Sequence, residues 1–212
     1  MTPNQFQAVV FDLGGVVFPS PFEAFDAYDR HHELAPGTVR ALIKTSSESG
    51  AWAALERGEL TMPDFYDALG TEADAAGFVL DGARLMGMIG KGFGSRPEMA
   101  RAIERIRAEG LRVAALTNNW PNADPKAPSA NGNALGFDVI IESAVVGLRK
   151  PDPRIYELAL RELGVDAPHA VFLDDLGINL KPARAMGMTT IKVSDPATAL
   201  AELASVLGFE LA

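Results

Sequence analysis

Five short apolar runs set the terms on which this chain can fold: AVVF ahead of Asp12, LRVAALT (Leu111–Thr117), FDVIIES (Phe137–Ser143), AVFLDD (Ala170–Asp175) and TTIKVS (Thr189–Ser194). Each is rich in β-branched or aromatic residues, and each reads as a strand buried on both faces. Between them lie amphipathic stretches with a helical period. RPEMARAIERIRAEG follows Ser95, with Glu98 three residues on, which predicts a capping box, and it closes at Gly110. DPRIYELALRELG repeats the pattern, with Asp152 as its expected cap and Gly164 at its end. Strands separated by helices in this way predict an α/β fold built on a parallel sheet.

The alternation breaks once. From about Pro21 to Gly92 the strand signal disappears and short helical patterns follow one another, so a helical insertion, or cap, is expected after the first strand. The glycine-rich GKGFGSRP (Gly90–Pro97) precedes a helix without following a strand. It therefore reads as a hinge and not as a phosphate loop. PNADPKAPSANGNALG (Pro121–Gly136) reads as a polar loop, and no repeat of solenoid length is present.

Composition excludes more than it selects. With 212 residues the chain suits one domain and a smaller appendage. No apolar run approaches the ~18 residues of a membrane span, so a soluble protein with no membrane partner is expected. MTPNQFQ carries no basic region followed by an apolar one, so no signal peptide is expected. Cys is 0, which removes disulfides, thiolate catalysis and Cys-ligated zinc, and fits a cytoplasmic setting. A formal charge of -9 with scattered Lys and Arg argues against nucleic acid or an anionic membrane as partner. An anionic substrate must be drawn in locally.

The chemistry-bearing residues stand at the strand ends. Asp12 follows the first strand, Thr117 and Asn118 end the second, Asp174 and Asp175 end the fourth, and Lys150 lies in GLRKPDP after the third. In a parallel sheet all of these gather at one edge, where open α/β sheets bind ligands. An acidic cluster with one lysine and one hydroxyl suits phosphoryl transfer through a covalent intermediate. Asp12 is then the nucleophile, Asp12 and Asp175 hold Mg²⁺, Lys150 offsets their charge, and Thr117 with nearby backbone N–H groups grips phosphate oxygens. Taken singly, each of these residues has a structural reading as a turn former, cap or solvated charge. His31–His32, with only His169 as a further imidazole, reads as a solvated helix pair. Trp120 reads equally as loop packing or as an apolar wall at the mouth of the site.

FDLGGVV, LTNNW, GLRKPDPRIY and VFLDDLGINLKPARAMGM, in this order and spacing, resemble the four motifs of the haloacid dehalogenase-like (HAD) hydrolase superfamily. Within it they are similar to the N-terminal phosphatase domain of soluble epoxide hydrolases and to the HAD region of multidomain acyl-CoA dehydrogenases. In the inserted segment the likeness is confined to ERGELTMPDF. The resemblance implies a Rossmann-like core, residues 1–19 and 93–212, and a small all-helical cap, residues 20–92, that sets the substrate. It implies Asp12 as nucleophile, Thr117 and Asn118 as phosphate-binding residues, Lys150 as charge-balancing lysine and Asp175 as metal acid. Asp174 would assist through the water shell of the ion, and Asn179 falls where many members have another acid. Trp120 would contact substrate.

One departure stands out. Gly14 occupies the place where most phosphatases of this family carry an acid that protonates the leaving oxygen. Its backbone carbonyl can still bind Mg²⁺. The expected activity is therefore a Mg²⁺-dependent phosphatase acting on a small phosphorylated metabolite. Two alternatives stand beside it: a metal-independent dehalogenase using the same aspartate, and a binding or regulatory domain that has lost turnover with the acid. The sequence leaves the oligomeric state open.

Overall fold

The structure is a computed structural model, which describes residues 5–45, 48–90, 94–121 and 135–211. Five strands, β1 (Ala8–Phe11), β2 (Arg112–Thr117), β3 (Val139–Glu142), β4 (Ala170–Asp174) and β5 (Thr189–Lys192), form one parallel sheet in the order β3-β2-β1-β4-β5. Successive strand residues point to opposite faces, so the central strands β1, β2 and β4 each feed two cores, whereas the edge strands β3 and β5, expected to be buried on both faces, are only partly buried. Val9, Phe11, Val113, Ala115, Val171 and Leu173 pack on α6 (Pro97–Ala108) and α10 (Pro196–Leu207). Ala8, Val10, Ala114, Leu116 and Phe172 pack on α8 (Pro153–Leu163) and α9 (Gly177–Ala185). That double burial explains why the central runs AVVF, VAAL and AVFL are apolar throughout instead of alternating, while the edge strand TTIK carries an exposed lysine.

Five helices are inserted between β1 and α6: α1 (Pro21–His31), α2 (Thr38–Thr45), α3 (Ala51–Glu56), α4 (Met62–Ala75) and α5 (Gly82–Gly90). They bury a cluster of their own, centred on Phe25, Trp52, Leu55, Phe65, Leu69 and Leu85. Trp52 meets the rings of Phe25 and Phe65 edge-on at 5.3 and 5.8 Å. Full burial of each such side chain contributes ~1.5–3 kcal/mol, enough for a compact layer of short helices. Ser20 and Thr61 cap α1 and α4 by accepting from Phe22 and Asp64 N–H. The remaining helix, α7 (Ser143–Val146), is a single turn after β3. No described helix is long and apolar enough to cross a membrane.

Asp152 caps α8, and Gly164 ends it, as expected. The predicted capping box before α6 does not form. The N-cap is Arg96, with no side-chain cap, because Pro97 fixes a helical φ at the first position and starts the helix beyond Ser95. Gly92 of the predicted hinge and residues 122–134 of the polar loop lie outside the described residues.

Candidate functional site

The sheet delivers its loops to one edge. Asp12 is one residue past β1, and its N–H still reaches Leu173 O at 2.9 Å, which fixes the backbone before the chain turns. Its Oδ1 accepts from Leu13 N–H at 2.7 Å and from Lys150 Nζ at 2.8 Å. The glycine pair that follows has two separate uses. Gly15 has φ 84°, and a Cβ there would stand 2.3 Å from Asp175 Oδ2, so only glycine allows the β1 loop to meet that carboxylate. Gly14 has no positive φ, and the nearest atom to an added Cβ is Pro21 Cδ at 3.7 Å.

Lys150 is 1% exposed and bridges two acids, with Nζ 2.8 Å from Asp12 Oδ1 and 2.7 Å from Asp174 Oδ2. Its backbone is gripped by Asn118, whose side chain donates to Lys150 O at 3.0 Å and accepts from Lys150 N–H at 2.8 Å. The Asn118 amide is thus tied to the lysine backbone in both directions. Thr117, also buried, sits one residue earlier at the end of β2.

Asp174 is fully buried and saturated. Its Oδ1 accepts from Leu176 N–H and Asn179 Nδ2 at 2.8 and 3.0 Å, and its Oδ2 from Asn179 Nδ2 and Lys150 Nζ at 3.1 and 2.7 Å. Asn179 therefore serves as a neutral donor to Asp174, and Tyr156 Oη in turn donates to Asn179 O at 2.7 Å. Asp175, half-buried, faces Gly15. Asp12, Asp174 and Asp175 each present an oxygen within 4.8 Å of the others, the one grouping among the described residues dense enough in acids or imidazoles to hold a metal ion.

The electrostatics follow from burial and from the count of charges. Burial pushes the Asp12 carboxyl up to about 8, with Asp174 and Asp175 adding repulsion and Lys150 opposing it. Asp175 rises to about 6, again through burial first and then the neighbouring Asp174. Burial alone would weaken the Lys150 ammonium, but Asp12 and Asp174 outweigh it and hold the lysine above its ordinary value. Three acids crowd on the Lys150 ammonium, and Lys192 adds a weaker pull on Asp175, so acids outnumber cations in a cluster suited to a further cation.

A cavity of about 280 Å³ opens beside this cluster, reached past Leu13, Gly14, Thr117 and Asn118 and walled by Phe18, Met88, Ile89 and Trp120. Trp120 lines this cavity and packs on the helical layer, 6.3 Å from Trp52. The histidines stand apart. His32 stacks on Tyr28 at the end of α1, and His169 meets Gln5 O just before β4, at the opposite edge of the sheet.

Sequence reasoning overlooked Asn119. It donates to Glu142 Oε1 at 2.5 Å, accepts from Ala144 N–H and sends its own N–H to the buried Ser143 hydroxyl, tying the β2 loop to the end of β3. Its place inside LTNNW was the available signal. Glu56 and Arg149, an ion pair 2.6 Å apart, were also overlooked.

The sequence profile of the haloacid dehalogenase-like hydrolases matches residues 6–187. Acyl-CoA dehydrogenase family member 10 of Mus musculus is 36% identical over 98% of this chain and 20% of its own length. Bifunctional epoxide hydrolase 2 of Sus scrofa is 33% identical over 97% of this chain and 39% of its own. The chain thus spans a fifth to two-fifths of these relatives. A sesquiterpene phosphatase of Aspergillus oryzae is 27% identical, covering 96% of this chain and 97% of its own. Among solved structures, a HAD family enzyme of Bacteroides thetaiotaomicron in complex with magnesium and inorganic phosphate aligns with TM-score 0.60 at 20% identity, covering 88% of this chain and 93% of its own. L-2-haloacid dehalogenase of Xanthobacter autotrophicus, with chloropropionic acid covalently bound, aligns with TM-score 0.61 at 21% identity, covering 94% and 82%. At these identities the two structures share the fold.

Proposed function

Because this chain belongs to the haloacid dehalogenase-like hydrolases, we propose that it is a Mg²⁺-dependent phosphatase that cleaves a small phosphorylated metabolite through an aspartyl-phosphate on Asp12. The observation that carries this reading is the trio of carboxylates, Asp12, Asp174 and Asp175, facing the single ammonium of Lys150. The relative named as a phosphatase and the related fold crystallised with magnesium and phosphate support it. In this reading residues 1–19 and 93–212 are the catalytic core and residues 20–92 the cap.

The donor set fits a hard divalent ion, since it consists of oxygen atoms alone. Asp12, Asp175 and the Gly14 carbonyl would hold it, while Asp174, already hydrogen-bonded at both oxygens, fixes Lys150 and would support the ion from outside. Bound Mg²⁺ would offset the charge of the phosphate and of the acids. Asp12 attacks phosphorus, the P–O bond to the substrate breaks and the departing alkoxide takes a proton from solvent, since Gly14 offers no acid, and water then cleaves the acyl-phosphate to release inorganic phosphate and restore the carboxylate. Lys150 balances Asp12 and Asp174 throughout. Thr117 Oγ1 and the backbone N–H groups that follow Asp12 and Thr117 hold the phosphate oxygens. The cavity beside them takes the remainder of the substrate against Trp120.

A metal-independent dehalogenase would use the same aspartate, but it has no need of three clustered acids. The test is a panel of phosphate esters, beginning with p-nitrophenyl phosphate, assayed with Mg²⁺ and with EDTA, beside 2-chloropropionate assayed for chloride. Phosphate release that EDTA abolishes is the expected result. Chloride release unaffected by EDTA, or no ester turned over by folded protein in Mg²⁺, would overturn the reading.

A further inference from the structure

We propose that Glu56 is a positioning residue for Lys150: through Arg149 it holds the lysine-bearing loop against the helical layer and so couples closure of that layer to the geometry of the reacting groups. Its kinetic side rests on the phosphatase reading above.

Glu56 ends α3 and is 7% exposed. Its Oε1 accepts from Trp52 Nε1 at 2.9 Å, and its Oε2 accepts from Arg149 Nε at 2.7 Å and Nη2 at 2.6 Å. Both carboxylate oxygens are thus engaged, one from inside the helical layer and one from the sheet domain. Arg149 immediately precedes Lys150, whose backbone is held from the other side by Asn118. The lysine loop is therefore clamped at successive residues, by Asn118 on the sheet side and by Glu56 on the helical side.

Two further contacts bring the same helix to the same junction. Gly58 has φ 70°, and a Cβ there would stand 2.3 Å from Ala144 O, so the turn after α3 presses its backbone directly on α7. Trp52, which donates to Glu56, meets the edge of Trp120, three residues beyond Thr117. The ERGELTMPDF stretch is thereby accounted for: Glu56 ties down the lysine loop, Gly58 permits close approach, and Thr61 caps α4.

A salt bridge this buried contributes little net stability compared with an apolar pair, but removal of one partner strands the other's charge. What it does supply is a fixed position. Lys150 must stand within hydrogen-bond reach of Asp12 and Asp174 at once, and a displacement of ~1 Å in such an arrangement can cost ~10²-fold in rate.

The test uses Glu56→Gln, which retains an acceptor for Trp52 and removes the charge, with Arg149→Lys as the conservative partner variant and Gly58→Ala as a variant that pries the junction apart while leaving Glu56 intact. Expected for Glu56→Gln is a fall in kcat of ~10–100-fold with KM for p-nitrophenyl phosphate changed far less, partial retention of kcat in Arg149→Lys, and the Glu56→Gln pattern in Gly58→Ala. The second readout needs no turnover. The chain has 2 tryptophans, Trp52 and Trp120, and they face each other across the junction. Their emission should shift to the red, and acrylamide should quench it more, in Glu56→Gln and Gly58→Ala than in wild type. If wild type turns over no ester, the phosphatase reading fails and fluorescence alone decides this one. Wild-type emission and quenching in folded Glu56→Gln and Gly58→Ala would overturn the proposal, as would unchanged kcat in variants that only melt earlier.

Discussion

Gly14 and Gly15 are adjacent and chemically identical, yet the fold asks opposite things of them. Gly15 is confined by its positive φ and by Asp175, whereas Gly14 has ordinary backbone and room for a side chain beside Pro21. Gly14→Asp should therefore fold and place at this position the acid that the family resemblance implies for protonating the leaving oxygen. General acid catalysis is worth ~10²–10⁴-fold, so the variant should accelerate an alkyl phosphate while leaving p-nitrophenyl phosphate, whose leaving group needs no proton, almost unchanged. A series of esters of rising leaving-group pKa would measure this, and equal slopes in wild type and variant would show that the proton already comes from elsewhere. Asp12→Asn tests the nucleophile. An amide cannot form the acyl-phosphate, so phosphate release should vanish, and because burial already disfavours the ionised carboxyl the melting temperature should not drop sharply. Turnover retained by the folded variant would remove Asp12 from the chemistry.

At the scale of elements, α8 and the loop before it separate stability from catalysis. Asp152 caps the helix and Asn118 anchors Lys150, two residues earlier in the chain, so neighbouring side chains answer to different demands. Asp152→Ala should cost about 1 kcal/mol of stability through the lost cap, with kcat preserved. Asn118→Ala removes both bonds to the lysine backbone and should lower kcat ~10-fold or more, with a smaller effect on melting than on rate. Thermal melts and steady-state kinetics on the two variants would check this. Loss of kcat in Asp152→Ala equal to that in Asn118→Ala would mean that α8 as a whole, and not the Asn118 clamp, places the lysine.

For the whole molecule the acidic cluster should make stability depend on pH and, in the proposed reading, on metal as well. Asp12 rises from 3.8 unfolded to about 8 in the fold, and Asp175 from 3.8 to about 6. Raised folded values mean that the native state binds these protons more tightly, so their stabilising effect is complete below about 4 and is lost as pH rises toward 8. Without metal, the melting temperature should fall between pH 5 and pH 8. If Mg²⁺ binds the ionised acids as proposed, it should raise the melting temperature more at pH 8 than at pH 5. Melts in EDTA and in Mg²⁺ across this range provide the measurement, and a magnesium effect independent of pH would place the ion away from Asp12 and Asp175.

Much of this molecule was legible in its sequence because the relevant physics is local. Short apolar or β-branched runs announced the five strands, of which the three central ones are buried on two faces, a helical period announced α6 and α8, and the break in pattern at Pro21 announced the inserted helices. Parallel strands in turn fixed the edge at which Asp12, Thr117, Lys150 and Asp174 would meet. What the sequence left open depends on contacts between distant residues. Ser95 had the makings of a cap, but Pro97 started the helix beyond its reach. Asn118 could have been a loop residue with no fixed partner, but the β2 loop is laid against Lys150 32 residues away and its amide grips that backbone in both directions. Asp174 and Asp175 are chemically equal neighbours, and only the turn after β4 sends one into a saturated network and the other toward Gly15. Glu56 meets Arg149 across 93 residues of chain. Periodicity says which face of an element is buried, but which residue it is buried against is decided by how the helical layer is seated on the sheet.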